Sequence, residues 1–218
     1  MAMRPFFGIQ LALMDEAGKE IELKNNRGIL CIKKPWPSMA MTVYGDHERF
    51  LQTYLEPYRG YFFTGDSALA DQDAHLRITG RVDDVMNVSG HRVGTAEIES
   101  VLNEHEDVAE SAVVGFAHEL TGEAVFAYVV LKEQTKSQNI QPELKSLVKQ
   151  KIAAHAVPNK ILITKHLPKT RSGKIMRRIL RKFANNEFNE LGDLSTLSEP
   201  QAIEEIKNLL LNNQTYHF

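Results

Sequence analysis

The 218-residue sequence holds a single cysteine, Cys31. That excludes an intramolecular disulfide and a cysteine-built metal cluster, and a reducing, cytoplasmic setting is expected. No apolar run approaches the length of a bilayer span, so no membrane partner is expected. The opening MAMRPFFGIQ lacks the basic start and long apolar stretch of a secretory signal. Neither sign of charge is in excess. Lys and Arg number 26 and Asp and Glu 28, for a formal net charge of −2, which argues against nucleic acid as a partner. There is no internal repeat and no low-complexity stretch. What remains is ordinary globular composition, 43% hydrophobic and 25% charged, in a chain long enough for one large domain or two small ones.

Two textures divide the chain. Residues 8–82 read as mostly β: GIQLALM alternates, DEAG and NNRG are turns, and ILCIKK runs to Pro35 and Pro37. One short helix is expected over His47–Leu55, with Phe50, Leu51 and Tyr54 on one face. YFFT and HLRIT are strands expected to end at Gly65-Asp66 and Gly80-Arg81. A strand-like pattern begins almost at once, as in a domain cut from a longer chain. Beyond Asp83-Asp84, strands alternate with helices. Val85–Val88 is a strand, and Thr95 is the expected N-cap of a helix with Ile98, Val101 and Leu102 on one face and Glu97 and Glu99 near its positive end. ESAVVGF, AVFAYVVL and ILIT are strands. Pro142 is expected to open a helix, and further helices are expected over Ser172–Phe183 and 200–211. The fold class is therefore α+β, a β-rich part over 1–82 followed by a small α/β lobe over 85–218, joined at 83–84.

The segment PKTRSGKIMRRILRK places seven cations between Lys169 and Lys182 with no acid among them. Gly173 permits a tight turn before Lys174. Ile175, Met176, Ile179, Leu180 and Phe183 follow helical spacing, so Lys174 is expected where a basic amphipathic helix begins, an end that favours an anion. On charge alone, a solvated basic face or a phosphate-binding surface for nucleic acid explains the segment.

The exact strings point elsewhere. YFFTGDSALADQD, ITGRVDDVMNVSGHRVGTAEIES and PKTRSGKIMRR together resemble, in order and spacing, the motifs of the adenylate-forming enzymes, the superfamily of acyl-CoA synthetases, peptide-synthetase adenylation domains and luciferases. NVSGHRVGTAEIES and SGKIMRRILRK are most similar to acetyl-coenzyme A synthetases, with propionate-activating relatives as the alternative. The resemblance runs along nearly the whole chain and implies an AMP-forming acetate–CoA ligase acting through acetyl-adenylate, with ATP, Mg2+ and coenzyme A. It implies that Lys174 bridges the substrate carboxylate and the α-phosphate side of ATP, that Asp66 accepts from the ribose hydroxyls, and that Arg81 and Arg92 serve the nucleotide.

For the second half-reaction, the resemblance implies rotation of the C-terminal lobe about Asp83. Ser89 and Gly90 then meet coenzyme A, and Lys149 stands where the family uses an arginine for a coenzyme A phosphate. Lysine keeps that charge without the bidentate fork. His105, with the carbonyls of Asn103 and Val108, matches a metal-holding loop. Lys174 matches a position of reversible acetylation, implying an acetyltransferase and a deacylase as partners. GDSALADQDAHLR departs from the family's usual GDGARRDEDGYYW. The family's phosphate loop and acyl pocket lie upstream, so an N-terminal domain of the same enzyme is an expected partner, and these 218 residues alone are not expected to catalyse the reaction. A non-catalytic regulatory remnant is the competing reading.

Overall fold

The computed structural model describes residues 3–135, 137 and 139–214. The chain divides into two compact units, one up to Asp83 and one from Asp84 onward. Among the described residues no helix is long and apolar enough to cross a membrane.

The first unit is an antiparallel sheet of β1 (Leu11–Met14), β2 (Glu20–Ile21), β3 (Arg27–Ile32), β4 (Phe62–Ala70) and β5 (Leu76–Arg81), in the order β2-β1-β3-β4-β5. Helix α1 (His47–Tyr54) is capped by Asp46, whose side chain accepts from the Arg49 N–H at 3.1 Å. Period-2 alternation sends Leu13, Leu30, Ala68, Ala70 and Leu76 to one buried face, and Ala12, Met14 and Cys31 to the other. The strand through Phe62 and Phe63 does not stop at Gly65-Asp66 as expected. It runs on to Ala70, with a register shift between Ser67 and Ala68 as it pairs β5. The glycine is tolerated because the ladder with β3 also shifts register, between Ile29 opposite Ser67 and Cys31 opposite Phe63, and that bulge takes a positive φ, 78° at Gly65.

Cys31 is fully buried, and burial pushes its thiol up to about 12. A raised thiol value favours the folded state fully below the unfolded value of about 8.5, and that contribution is lost as pH rises towards the folded one. Alkylation by iodoacetamide at pH 8 is therefore expected to be slow in native buffer and fast in concentrated urea. Equal rates would show that this sheet opens freely.

The second unit is built round the hairpin of β8 (Val108–His118) and β9 (Gly122–Leu131), with β10 (Lys160–Ile163) parallel to β9. β6 (Val85–Val88) and β7 (His91–Gly94) form a second hairpin, joined to β9 by the Val88–Gly122 pair. The helices are α2 (Thr95–Leu102), α3 (Ile140–Lys151), α4 (Arg177–Ala184) and α5 (Pro200–Gln214). Alternation along the long hairpin feeds two cores. Val113, Val125, Ala127 and Val129 pack with Ile98 and Leu102 of α2 and Leu144 and Val148 of α3. Ala112, Val114, Phe116, Phe126 and Tyr128 pack with Ile179, Leu180 and Phe183 of α4 and Ile203, Ile206 and Leu210 of α5. Burial on both faces is why AVFAYVVL reads as a continuous apolar run.

Three expectations about helix ends change. Gly94, not Thr95, is the N-cap of α2, and Thr95 is buried as the first helical residue. Pro142 lies two residues inside α3, still within the first turn where its missing N–H costs nothing. The helix expected from Ser172 begins only at Arg177.

Candidate active site

In the first unit, the strand continuation brings Asp66 opposite Arg81 across the β4–β5 ladder. Arg81 donates from Nη1 to the Thr64 carbonyl at 3.2 Å and to Asp66 Oδ1 at 3.5 Å, and from Nε to Asp83 Oδ1 at 3.0 Å. Thr64 Oγ1 donates to the Leu30 carbonyl at 2.7 Å and accepts from the Asp66 N–H at 3.1 Å, which fixes the backbone under the carboxylate. Gly65 also leaves room for Arg81. A Cβ there would stand 2.5 Å from Arg81 Nη2, so a larger residue would make the guanidinium swing away from its place across the strand. Thr-Gly-Asp and Gly-Arg are thus halves of one cluster in which a carboxylate and a half-exposed guanidinium share an edge.

The departing stretch beside it closes the β4–β5 turn. Asp71 Oδ1 accepts from the N–H groups of Asp73 and His75, both at 2.9 Å, which together with the His75 ring holds the Asp71 carboxyl below its ordinary value. His75 Nδ1 meets Asp71 Oδ2 at 3.2 Å, and His75 Nε2 accepts from Arg4 Nε at 2.9 Å. The carboxylates of Asp71 and Asp73 and the His75 ring converge, and the Asp71 carboxylate and His75 ring also brace the loop.

In the second unit, Ser89 and Gly90 form the two-residue tip of the β6–β7 hairpin, with φ of 52° and 81°. Such a tip needs two left-handed residues. Serine in that region carries strain of about 1 kcal/mol, of the kind kept at ligand sites. Nothing lies within 4 Å of a Cβ built on Gly90, so the space over the tip is open. Ser89 N–H donates to the Thr121 carbonyl at 3.1 Å, tying the tip to the end of β9. Arg92 is exposed and pairs in register with Asn87.

Lys174 does not stand at a helix N-terminus, so the anion-favouring end invoked for it is not where its side chain is rooted. Residues 169–175 form a tight hairpin closed by a Lys169–Ile175 bridge. The Thr170 N–H donates to the Lys174 carbonyl at 2.8 Å, the Gly173 N–H to the Thr170 carbonyl at 2.8 Å, and the Lys174 N–H to Thr170 Oγ1 at 3.1 Å. Gly173 has φ 80°, the left-handed residue this turn needs. The apolar spacing of Ile175 and Met176 suits a strand end as well as a helix start, and both are half-buried against the α4–α5 core.

The seven cations of this segment are not a free basic face. Lys169 pairs with Glu110 at 2.7 Å, Arg177 with Glu99 at 2.6 Å and Arg181 with Asp84 at 3.0 Å. Arg178 and Lys182 donate to the carbonyls of Leu191, Asp193 and Glu190. Among the described residues, no acceptor meets the side chains of Arg171 and Lys174, both exposed. Phosphate contacts along the helix would have to break these internal bonds.

Lys149 is exposed in the last turn of α3. His105 follows α2 in the turn that also holds Asn103 and leads to Val108. Its Nδ1 accepts from the Asp107 N–H at 3.2 Å, and its Nε2 meets Glu143 Oε2 at 3.3 Å. The His105 ring thus braces the turn through Asp107 and meets the half-exposed Glu143, and no step is routed through a metal there.

Glu99 was missed by the sequence reading as a site residue. It is not a solvated partner of the α2 N-terminus but lies on the buried face with Thr95, Ile98 and Leu102. Its Oε1 accepts from the Val113 N–H at 2.8 Å and Arg177 Nε at 3.2 Å, and its Oε2 from Arg177 Nη2 at 2.6 Å. Burial raises its carboxyl above the ordinary value, and Arg177 and the Val113 N–H pull it back in part. The available signal was the helical period itself, which turns residue 99 inward with 95, 98 and 102.

The family described as AMP-binding enzyme C-terminal domain matches residues 97–174. The human protein "Acetyl-coenzyme A synthetase 2-like, mitochondrial" is 55% identical over 207 residues, covering 94% of this chain and 30% of the relative. Acetyl-coenzyme A synthetase of Leptospira biflexa is 52% identical over 215 residues, covering 98% of this chain and 32% of the relative. The chain thus spans 30–32% of the length of these curated relatives. Acetoacetyl-CoA synthetase from Streptomyces lividans shares the fold with a TM-score of 0.81 at 20% identity, over 96% of this chain and 32% of that one. Amide bond synthetase McbA from Marinactinospora thermotolerans gives 0.72 at 28% identity, over 83% and 36%. Nearly end to end, the chain is similar in sequence to about a third of the length of acetyl-coenzyme A synthetases, and its residues 97–174 match the AMP-binding enzyme C-terminal domain family.

Proposed function

We propose that this chain is the C-terminal part of an AMP-forming acetate–CoA ligase. The observation that carries the reading is Lys174, held bare at a braced hairpin while most of its neighbouring cations are bound to the protein. In the first half-reaction an acetate oxygen attacks the α-phosphorus of ATP. The new carboxylate–phosphorus bond forms as the bond to the bridging oxygen breaks and pyrophosphate leaves. Two anions must meet, and the Lys174 ammonium offsets their repulsion and orients the attack. Asp66 is suited to accept from the ribose hydroxyls, being an acceptor-only group on a fixed backbone. Arg81 and Arg92 supply planar donors to ribose or phosphate. Mg2+ enters as the ATP complex, held by phosphate oxygens and water, and no step here is routed through it.

In the second half-reaction the coenzyme A thiol, losing its proton, attacks the acetyl carbonyl and AMP leaves with the bonding pair. The open space over Gly90 admits a pantetheine chain close to backbone, Ser89 contacts it, and Lys149 offers a point charge for a phosphate. Asp83, at the boundary of the two units, is the residue about which the second would turn. An exposed Lys174 is also open to acetylation, which would remove its charge, with an acetyltransferase and a deacylase as partners. The cytoplasm is the compartment we assign.

The test is acetate-dependent exchange of pyrophosphate into ATP. A full-length protein bearing this chain is expected to catalyse it and to form AMP and acetyl-CoA when coenzyme A is added. The 218 residues alone are expected to do neither. Acetate-dependent AMP release by the isolated chain, or none by the full-length protein, would overturn the reading.

A further inference from the structure

We infer that Glu99 and Arg177 form a positioning clamp for Lys174, setting where its ammonium stands during adenylation. The inference rests on the proposed role of Lys174. A lysine side chain is a flexible four-carbon stem, so the protein controls only where it is rooted. The root is a short hairpin, and both of its strands are tied down. On the incoming strand, Lys169 pairs with Glu110 of β8 at 2.7 Å. On the outgoing strand, the Met176 N–H donates to the Pro168 carbonyl at 2.8 Å, and Arg177 follows at once.

Arg177 enters a bidentate pair with Glu99 through Nε and Nη2 at 3.2 and 2.6 Å. The carboxylate is itself fixed by the Val113 N–H of β8 at 2.8 Å, and Glu99 is 8% exposed. A planar fork on a planar acceptor cannot slide without breaking two bonds together. The clamp therefore fixes rotation as well as distance three residues from Lys174. Stability alone does not account for it, because a buried ion pair is often no more stabilising than apolar residues of the same volume. Glu99 and Arg177 touch no substrate in this scheme. They act through Lys174.

The test uses full-length enzyme with Glu99→Gln, which keeps the shape and the acceptor for the Val113 N–H and removes the charge. Adenylation, read by pyrophosphate exchange, is expected to lose about 10- to 100-fold in kcat with KM for ATP and acetate little changed. Transfer from preformed acetyl-adenylate to coenzyme A is expected to stay within about twofold. Added to Lys174→Ala, Glu99→Gln is expected to cause no further loss of adenylation. Arg177→Lys keeps the charge and loses the fork, and should show the same split. It also serves as the test if Glu99→Gln does not fold. Equal loss of both half-reactions, additive loss on the Lys174→Ala background, or unimpaired adenylation in both variants would overturn the clamp. Unimpaired adenylation in Lys174→Ala would instead sink the reading it rests on.

Discussion

Lys174→Ala is expected to slow acetate adenylation by about 10²–10³-fold while leaving acetyl transfer from preformed acetyl-adenylate within about twofold. The size follows from the role proposed for the ammonium. Charge on the attacking carboxylate and the pentacoordinate phosphorus is gathered at one place only in the transition state, so a fixed cation there lowers kcat more than it changes substrate binding. The second half-reaction attacks a carbonyl carbon and does not need a cation between two anions. Stability should not move, because Lys174 is exposed and, among the described residues, its side chain meets no acceptor. A change within about 0.5 kcal/mol is expected. Pyrophosphate exchange, thioester formation from acetyl-adenylate and a thermal melt on the same preparation check all three. Parallel loss in both half-reactions would remove Lys174 from the adenylation step.

Much of this was legible because short-range physics decided it. The continuous apolar run AVFAYVVL and the spacing of Ile98 and Leu102 hold wherever the rest of the chain goes. Asp66 and Arg81 could be named from their motifs, but their contact could not, since it needs β4 to run past Gly65 and pair with β5. Lys174 was found and its setting was not. Ile175, Met176, Ile179 and Leu180 satisfy a helix that begins early, and nothing local forbids it. The hairpin wins through distant partners: a Thr170–Leu197 bridge and the carboxylates of Glu110 and Glu99, 59 and 78 residues away along the chain. The same distance hid Glu99, which near a helix N-terminus reads as a dipole partner until the guanidinium that buries it is in place. The basic run misled for the same reason, since its acids are supplied by other elements.

Phe183→Ala is expected to carry the largest stability cost, about 3–5 kcal/mol, with a fall in melting temperature on the order of 10 °C. Phe183 is fully buried on α4 and packs against Phe188 with ring centroids 5.6 Å apart, in the core shared with Phe126, Tyr128 and Ile206. Removing the ring deletes its transfer free energy and leaves a void that this core is poorly able to close. Tyr128, beneath α4, is itself tethered by its hydroxyl to the Leu180 carbonyl at 2.9 Å, and aromatic rings cannot shrink to fill space. Breaking the half-exposed Lys169–Glu110 pair should cost only about 0–1 kcal/mol by comparison. The contrast separates two ways of holding Lys174. Apolar burial supplies the free energy that keeps α4 in place, and the ion pairs choose its orientation. Phe183→Ala should therefore lower both half-reactions together as folded enzyme is lost, and recover at low temperature. The Glu99 variant should lower adenylation alone at every temperature where the protein is folded. Urea titrations of the two variants, run beside the half-reaction assays, would expose the opposite pattern if packing rather than charge aimed the lysine.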